Sequence, residues 1–149
     1  MTSPVIPVAS DHRGFALKAR VLGWLEHNGY APRDLGAYDA QRSDAMDYAR
    51  AIAAELKSEE VELGVLICGS GQAMAMTANR HQHIFAAICL SVPMARTTRE
   101  HNDANVLCLA SDFTGEDEAL EILKAFLEAK FVGGKYAERR DALTALGGL

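Results

Sequence analysis

The sequence predicts an α/β protein built on an open, mostly parallel five-stranded sheet with helices on both faces. Three observations predict it. Strand-like and helix-like segments alternate five times. The strand-like runs are short and apolar throughout, as expected when helices cover both faces. No repeat, low-complexity segment or linker divides the 149 residues, so residues 1–149 read as a single domain large enough to bury a core.

The elements follow in order. Residues 5–9 are an apolar run read as the first strand, broken by Ser10-Asp11-His12-Arg13-Gly14. From 15 to about 27, Phe15, Leu17, Val21, Leu22 and Leu25 recur at near-helical spacing, and Asn28-Gly29 stops the helix. Residues 30–35 read as a second strand closed by Gly36, and 37–45 as a polar loop. A helix is expected from 47 to about 57, with Tyr48, Ile52 and Leu56 on one face. Strand three covers 63–68, a helix rich in Met and Ala covers 72–80, and strand four covers 84–90. Pro93 suits a first helical position in the helix that follows. Strand five spans 105–110, and the clearest amphipathic helix spans 116–131 with Leu120, Leu123, Phe126 and Leu127 as its stripe. Gly133-Gly134 breaks it before a last short helix over 135–146.

Composition excludes several classes of function. With 49% hydrophobic and 23% charged residues the chain belongs with soluble globular proteins. A net charge of −5 and the lack of a basic stripe with interleaved aromatics give no support to nucleic-acid binding. No apolar run reaches the roughly 18 residues of a membrane helix. Met1-Thr2-Ser3-Pro4 shows no basic segment ahead of an apolar one, so no signal peptide is expected. Cys68, Cys89 and Cys108 form no C-x-x-C motif, and free thiols in a reducing cytoplasm are expected.

The chain is organised around Val65-Leu66-Ile67-Cys68-Gly69-Ser70-Gly71-Gln72-Ala73, an apolar strand entering a helix through a glycine turn. Such a turn places backbone N–H groups where an anion can sit. Cys89 and Cys108 read as small buried hydrophobes. Cys68 is either another of these or a chemical thiol, since a glycine turn and a helix start both expose a thiol and make it reactive. Met74 stands where a thiol phosphatase needs arginine, and no Gly-Lys-Ser/Thr follows to make a nucleotide-binding loop. Asp11 is either a helix cap or, beside His12, part of a polar site; His suits a phosphate contact or proton transfer. Ligands of such sheets bind at the carboxyl ends of the strands, so Asp11, His12, the Cys68 turn and Ser91 are expected on one edge. Residues 99–105, Arg-Glu-His-Asn-Asp-Ala-Asn, read as a solvated helix end, with a metal site the poorer alternative. Lys135, Arg139 and Arg140 are either a solvated tail or a phosphate clamp.

Together these residues resemble the ribose-5-phosphate isomerase B family, which also includes galactose-6-phosphate isomerase subunits. Asp11-His12-Arg13-Gly14-Phe15-Ala16-Leu17-Lys18 looks like the family's D-H-x-G-F-x-L-K. Ile67-Cys68-Gly69-Ser70-Gly71 with Ala78-Asn79-Arg80 resembles I-C-G-T-G and A-N-K. Residues 99–107 match R-E-H-N-D-A-N-V-L, and Phe131-Val132-Gly133-Gly134 with Arg139 resembles F-x-G-G-R-H-x-x-R. The resemblance implies a Rossmann-like three-layer α/β/α sandwich that forms a homodimer or dimer of dimers, with sites assembled between subunits and the tail from about 133 at the interface. It implies cofactor-free, metal-free aldose–ketose isomerisation through an enediol, with ribose 5-phosphate and ribulose 5-phosphate as substrates, in cytoplasmic pentose phosphate metabolism. By resemblance Cys68 is the base, and Ser70 with the N–H groups of Gly69, Gly71, Gln72 and Ala73 holds the enediolate. His101 opens the ring, Asp11 and Asn102 hold hydroxyls, and His12, Lys135 and Arg139 hold the phosphate.

The chain departs from the family pattern around this core. Ala73 replaces a glycine, which is strained only if that position needs positive φ. Lys135-Tyr136 replaces Arg-His, Phe85 replaces arginine, Asp112 replaces the arginine after strand five, and the proline before Asp47-Tyr48 is missing. The altered shell admits a tetrose or hexose phosphate as substrate, or a catalytically weak partner subunit. The fold pattern alone would also suit a flavodoxin-like cofactor binder, which leaves residues 99–105 unexplained.

Overall fold

The computed structural model describes residues 2–148. Its elements are β1 (Val5–Ser10), α1 (Phe15–His27), β2 (Ala31–Asp34), α2 (Ala45–Glu55), β3 (Gly64–Cys68) and α3 (Gln72–Ala78). They continue with β4 (Ala86–Ile88), α4 (Val92–Asn102), β5 (Val106–Ala110), α5 (Glu116–Glu128) and α6 (Lys135–Ala145). The five strands lie in the order β2-β1-β3-β5-β4, and every pairing is parallel.

The local chemistry explains where the boundaries differ from expectation. α2 begins at Ala45, two residues early, because the Asp44 carboxylate accepts the Met46 N–H at 3.0 Å. β4 shrinks to three residues: the Asn105 side chain takes the Phe85 N–H at 2.8 Å, so the ladder starts only at Ala86. β2 is not apolar; its sequence is Ala-Pro-Arg-Asp, half of it exposed, and an edge strand tolerates Pro32. α5 ends at Glu128 because the chain turns extended at Ala129, and the Val132 N–H then reaches the Glu100 carbonyl at 2.9 Å.

Strand alternation sends Val8, Val65, Ile67, Leu107 and Leu109 into one core layer with Leu25, Ile122 and Phe126. Ala9, Leu66, Cys68 and Cys108 face the other layer with Ile52 and Met74. Right-handed crossovers fix which helix lies where. The steps β1 to β2 and β4 to β5 run in one direction across the sheet and put α1 and α4 on one face. The steps β2 to β3 and β3 to β4 run the other way and put α2 and α3 on the opposite face.

Two consequences position the site. The chain leaves β1 for β2 on one side and returns to β3 on the other, so the crevice between β1 and β3 is a switch point where such sheets bind ligands. Also, α4 starts at the carboxyl edge of the sheet, where Ser91 caps Met94 N–H, and runs back to the opposite edge. Eleven residues of helix carry the chain about 16 Å. His101 and Asn102 therefore end at the edge where Gly64, the first residue of β3, donates to the Asn105 carbonyl.

Candidate active site

At the carboxyl edge, Ser10 and Ile67 are register partners, so Asp11 and Cys68 leave adjacent strands side by side. Asp11 is buried, and its Oδ1 accepts the N–H groups of Arg13 (2.9 Å) and Gly14 (3.2 Å). Oδ1 closes the turn before α1, as the cap alternative expects, and Oδ2 makes no bond among the described residues. The turn is braced from below. Buried Lys18 pairs with Asp34 at 2.6 Å, Asp34 accepts the Gly36 N–H, and Gly36 and Ala37 bond the backbone of Ser10 at 2.7 Å each. His12 Nδ1 accepts the Ser43 N–H at 3.2 Å. The neutral ring therefore carries its proton on Nε2, free to donate to an anion or hydroxyl.

Cys68 Sγ accepts the Gly71 N–H at 3.2 Å, and Gly71 turns left-handed at φ 76°. Ser70 Oγ accepts the Gln72 N–H at 3.2 Å, which leaves its own proton to donate. Gly71 and Gln72 thus spend their N–H groups inside the turn. The N–H groups of Gly69, Ser70 and Ala73 remain unspent among the described residues. Their orientation is fixed from β5: the Ser111 N–H holds the Cys68 carbonyl and the Asp112 N–H holds the Gly69 carbonyl, each at 2.9 Å. A trans peptide points its N–H opposite its carbonyl, so the next two N–H groups face away from β5. Ala73 lies within α3 and outside the positive-φ region, so its replacement of glycine is mild.

The other predicted residues gather at the opposite edge. The His101 ring stacks on Tyr136, with centroids 4.2 Å apart and planes 3° from parallel. Lys135 Nζ and Arg139 Cζ lie 5.2 and 5.8 Å from the same ring. Asn102 is exposed beside them. One chain therefore carries two separate groups: a thiol with carboxylate and amide donors, and an imidazole with two cations. Arg140 belongs to neither. It turns inward, bonds the Asp103 carbonyl and lies 3.3 Å over the Phe85 ring, so Phe85 serves as a platform for it. Tyr136 was visible in the sequence only as a departure; its place beside Lys135, three residues before Arg139, was the available signal.

Among the described residues no group of three His, Cys, Asp or Glu is placed to hold a metal ion, and no helix is long and apolar enough to cross a membrane. Cys68, Cys89 and Cys108 are all buried. The glycine turn does not expose the Cys68 thiol as the sequence suggests: Cys68 is the last residue of β3, packs with Ile52 and Met74, and is only 4% exposed. Burial pushes the Cys89 thiol up to about 12. Burial, and then the nearby Cys68 and Cys89, push the Cys108 thiol up as well. Both thiols hold their protons more tightly folded than unfolded, so their stabilisation is complete below about pH 9 and is lost as pH rises through the folded values. The melting temperature is expected to fall from about pH 9 upward, each thiol removing about 1.4 kcal/mol per pH unit. C89A and C108A should flatten that slope in a thermal melt series.

Comparison with known proteins converges on one group. The family described as Ribose/Galactose Isomerase matches residues 6–143. Ribose-5-phosphate isomerase B of Escherichia coli is 36% identical over 141 residues, 95% of each chain. The crystal structure of a ribose 5-phosphate isomerase from Thermotoga maritima superposes with a TM-score of 0.92 at 38% identity, covering 95% of this chain and 97% of that one. Ribose-5-phosphate isomerase B from Mycoplasma genitalium, with ribulose-5-phosphate bound, gives 0.93 at 36% identity over 98% and 97%.

Proposed function

This chain belongs to the ribose/galactose isomerase family, and on that premise we propose that it interconverts ribose 5-phosphate and ribulose 5-phosphate through an enediol. The observation that carries the proposal is the Cys68 turn at the β1/β3 switch point: a thiol held by an N–H donor, beside amide groups left unspent.

Cys68 as thiolate takes the proton from C2 of the open-chain aldose and returns it to C1, while the proton of the C2 hydroxyl passes to O1, so that the C1 aldehyde becomes the alcohol and C2 becomes the ketone. A positioned base contributes about 10²–10⁴ in rate. Charge moves onto the carbonyl oxygen, where Ser70 and the amides of Gly69, Ser70 and Ala73 meet it. Each such donor is worth about 10²–10³ in rate. Asp11 Oδ2 accepts a sugar hydroxyl, and His12 Nε2 donates to the phosphate.

A second copy of the chain completes the site. Its His101 opens the sugar ring, Asn102 holds a hydroxyl, and Lys135 and Arg139 bind the phosphate. Tyr136 keeps the His101 ring in plane and spaces the two cations. A division between copies is supported by the roughly 16 Å of α4 that separates the two groups within one chain. A homodimer is further supported by the short edge strand β4 and the open groove beside it, about 410 Å³, lined by Ile84, Phe85, Leu143 and Leu146. The chain then acts as one domain over residues 1–149, with the tail from about 133 at the dimer interface, in the cytoplasmic interconversion of pentose phosphates.

The test is turnover by the purified protein on four-, five- and six-carbon aldose and ketose phosphates. Ribose 5-phosphate is expected to be the best substrate. Preference for a tetrose or hexose phosphate would move the assignment within the family and point to Lys135 and Asp112 as the cause. Inertness on all would contradict it and favour a partner subunit.

A further inference from the structure

Asp112 is the departure that the site as described leaves unused. A carboxylate at the rim of a turn built for anions would repel a phosphate. It does not stand alone: its Oδ2 pairs with Nη2 of Arg13, the residue after His12. The pair lies directly on the turn. A β-carbon placed on Gly69 would be 2.6 Å from Asp112 Oδ2 and 2.7 Å from Arg13 Nε, so any larger residue there would push the pair out of place. Further hydrogen bonds join the same three loops, with Ser111 Oγ donating to the Arg13 carbonyl at 3.0 Å and the Asp112 N–H to the Gly69 carbonyl.

The Arg13 and Asp112 side chains are 57% and 40% exposed. An ion pair that open to water adds little to stability, so fold stability gives no sufficient reason for it. What the pair does is aim a guanidinium. Asp112 engages Nη2, and the remaining N–H groups of the fork make no hydrogen bond among the described residues. Arg13 follows His12 directly in the chain and lies against the Gly69 turn.

We propose that Arg13 is a phosphate-binding residue of this site, aimed by Asp112, and that it supplies from the first loop the guanidinium that similar chains carry after the fifth strand. The inference rests on the isomerase reading for the position of the phosphate. It predicts that the site selects a phosphate dianion by a same-chain guanidinium as well as by the partner copy's cations.

The test uses R13A, D112N and the exchanged pair R13D/D112R. Each is read by KM and kcat for ribose 5-phosphate, by the Kd of inorganic phosphate from titration calorimetry, and by melting temperature. R13A should raise KM and the phosphate Kd together by about tenfold to a hundredfold, more than it lowers kcat. D112N should weaken both by less. R13D/D112R should recover most of the loss, because the guanidinium returns from the other loop. If R13A melts early, R13K takes its place and should fall between wild type and full loss, since lysine keeps the charge without the fork. Unchanged phosphate binding in R13A, tighter binding in D112N, or an exchanged pair no better than R13A would each overturn the proposal. The phosphate titration reads Arg13 even if ribose 5-phosphate is not turned over, and wild-type turnover reports on the isomerase reading separately.

Discussion

Cys68→Ser is expected to lower kcat for ribose 5-phosphate by about 10²–10⁴, with KM and melting temperature close to wild type. The argument is one of chemistry at constant shape. Serine fits the same space at the end of β3, and its Oγ can still accept the Gly71 N–H that now reaches the sulfur. What it loses is the acidity of a thiol, since a serine hydroxyl is a far weaker acid, and with it the ability to act as the base that takes a proton from carbon. The oxyanion donors survive, so residual turnover above the uncatalysed rate should remain. Steady-state kinetics with both pentose phosphates checks this. A variant retaining most of its kcat would move the base elsewhere on the carboxyl edge, with Asp11 the first candidate.

His101→Gln is expected to act unequally in the two directions. Ribose 5-phosphate is mainly a closed ring and must be opened before its C2 proton can be taken. Ribulose 5-phosphate carries phosphate on the oxygen that would close a furanose, so it is already open. Turnover of the aldose should fall by about 10²–10³, the worth of a positioned acid–base group, while initial rates from the ketose fall much less. Initial-rate measurements from each side separate the cases. Equal losses in both directions would assign His101 to the proton transfer itself or to phosphate binding.

Much of this was legible in the chain. Residue type and spacing located β1, β3 and β5, whose covered faces read as apolar runs, and α5, whose stripe is clear; β2, half exposed, and α6, which buries no residue, were placed by the glycines that flank them. Cys68, Asp11 and Ser70 could be placed on one edge from the strand–turn–helix pattern alone. His101 could not, because its location depends on which way β4 crosses to β5. That direction sets the face of the sheet on which α4 lies. Pairing was also hidden. Asp112 reads as the loss of a cation until Arg13, 99 positions away, is found against it. Arg140 reads as part of a charged tail until its guanidinium is seen on Phe85. Contacts of long sequence separation leave no local pattern to read.

The central claim is that each active site takes its base from one chain and its imidazole from another. The direct measurement is complementation: C68A and H101A, each purified, are mixed, dissociated and allowed to reassociate. Random pairing makes about half the dimers mixed, each with one intact and one doubly altered site, so activity should rise from near zero to about a quarter of wild type. A mixture that stays at the level of its inactive parents would contradict a shared site and place all of the chemistry within a single chain.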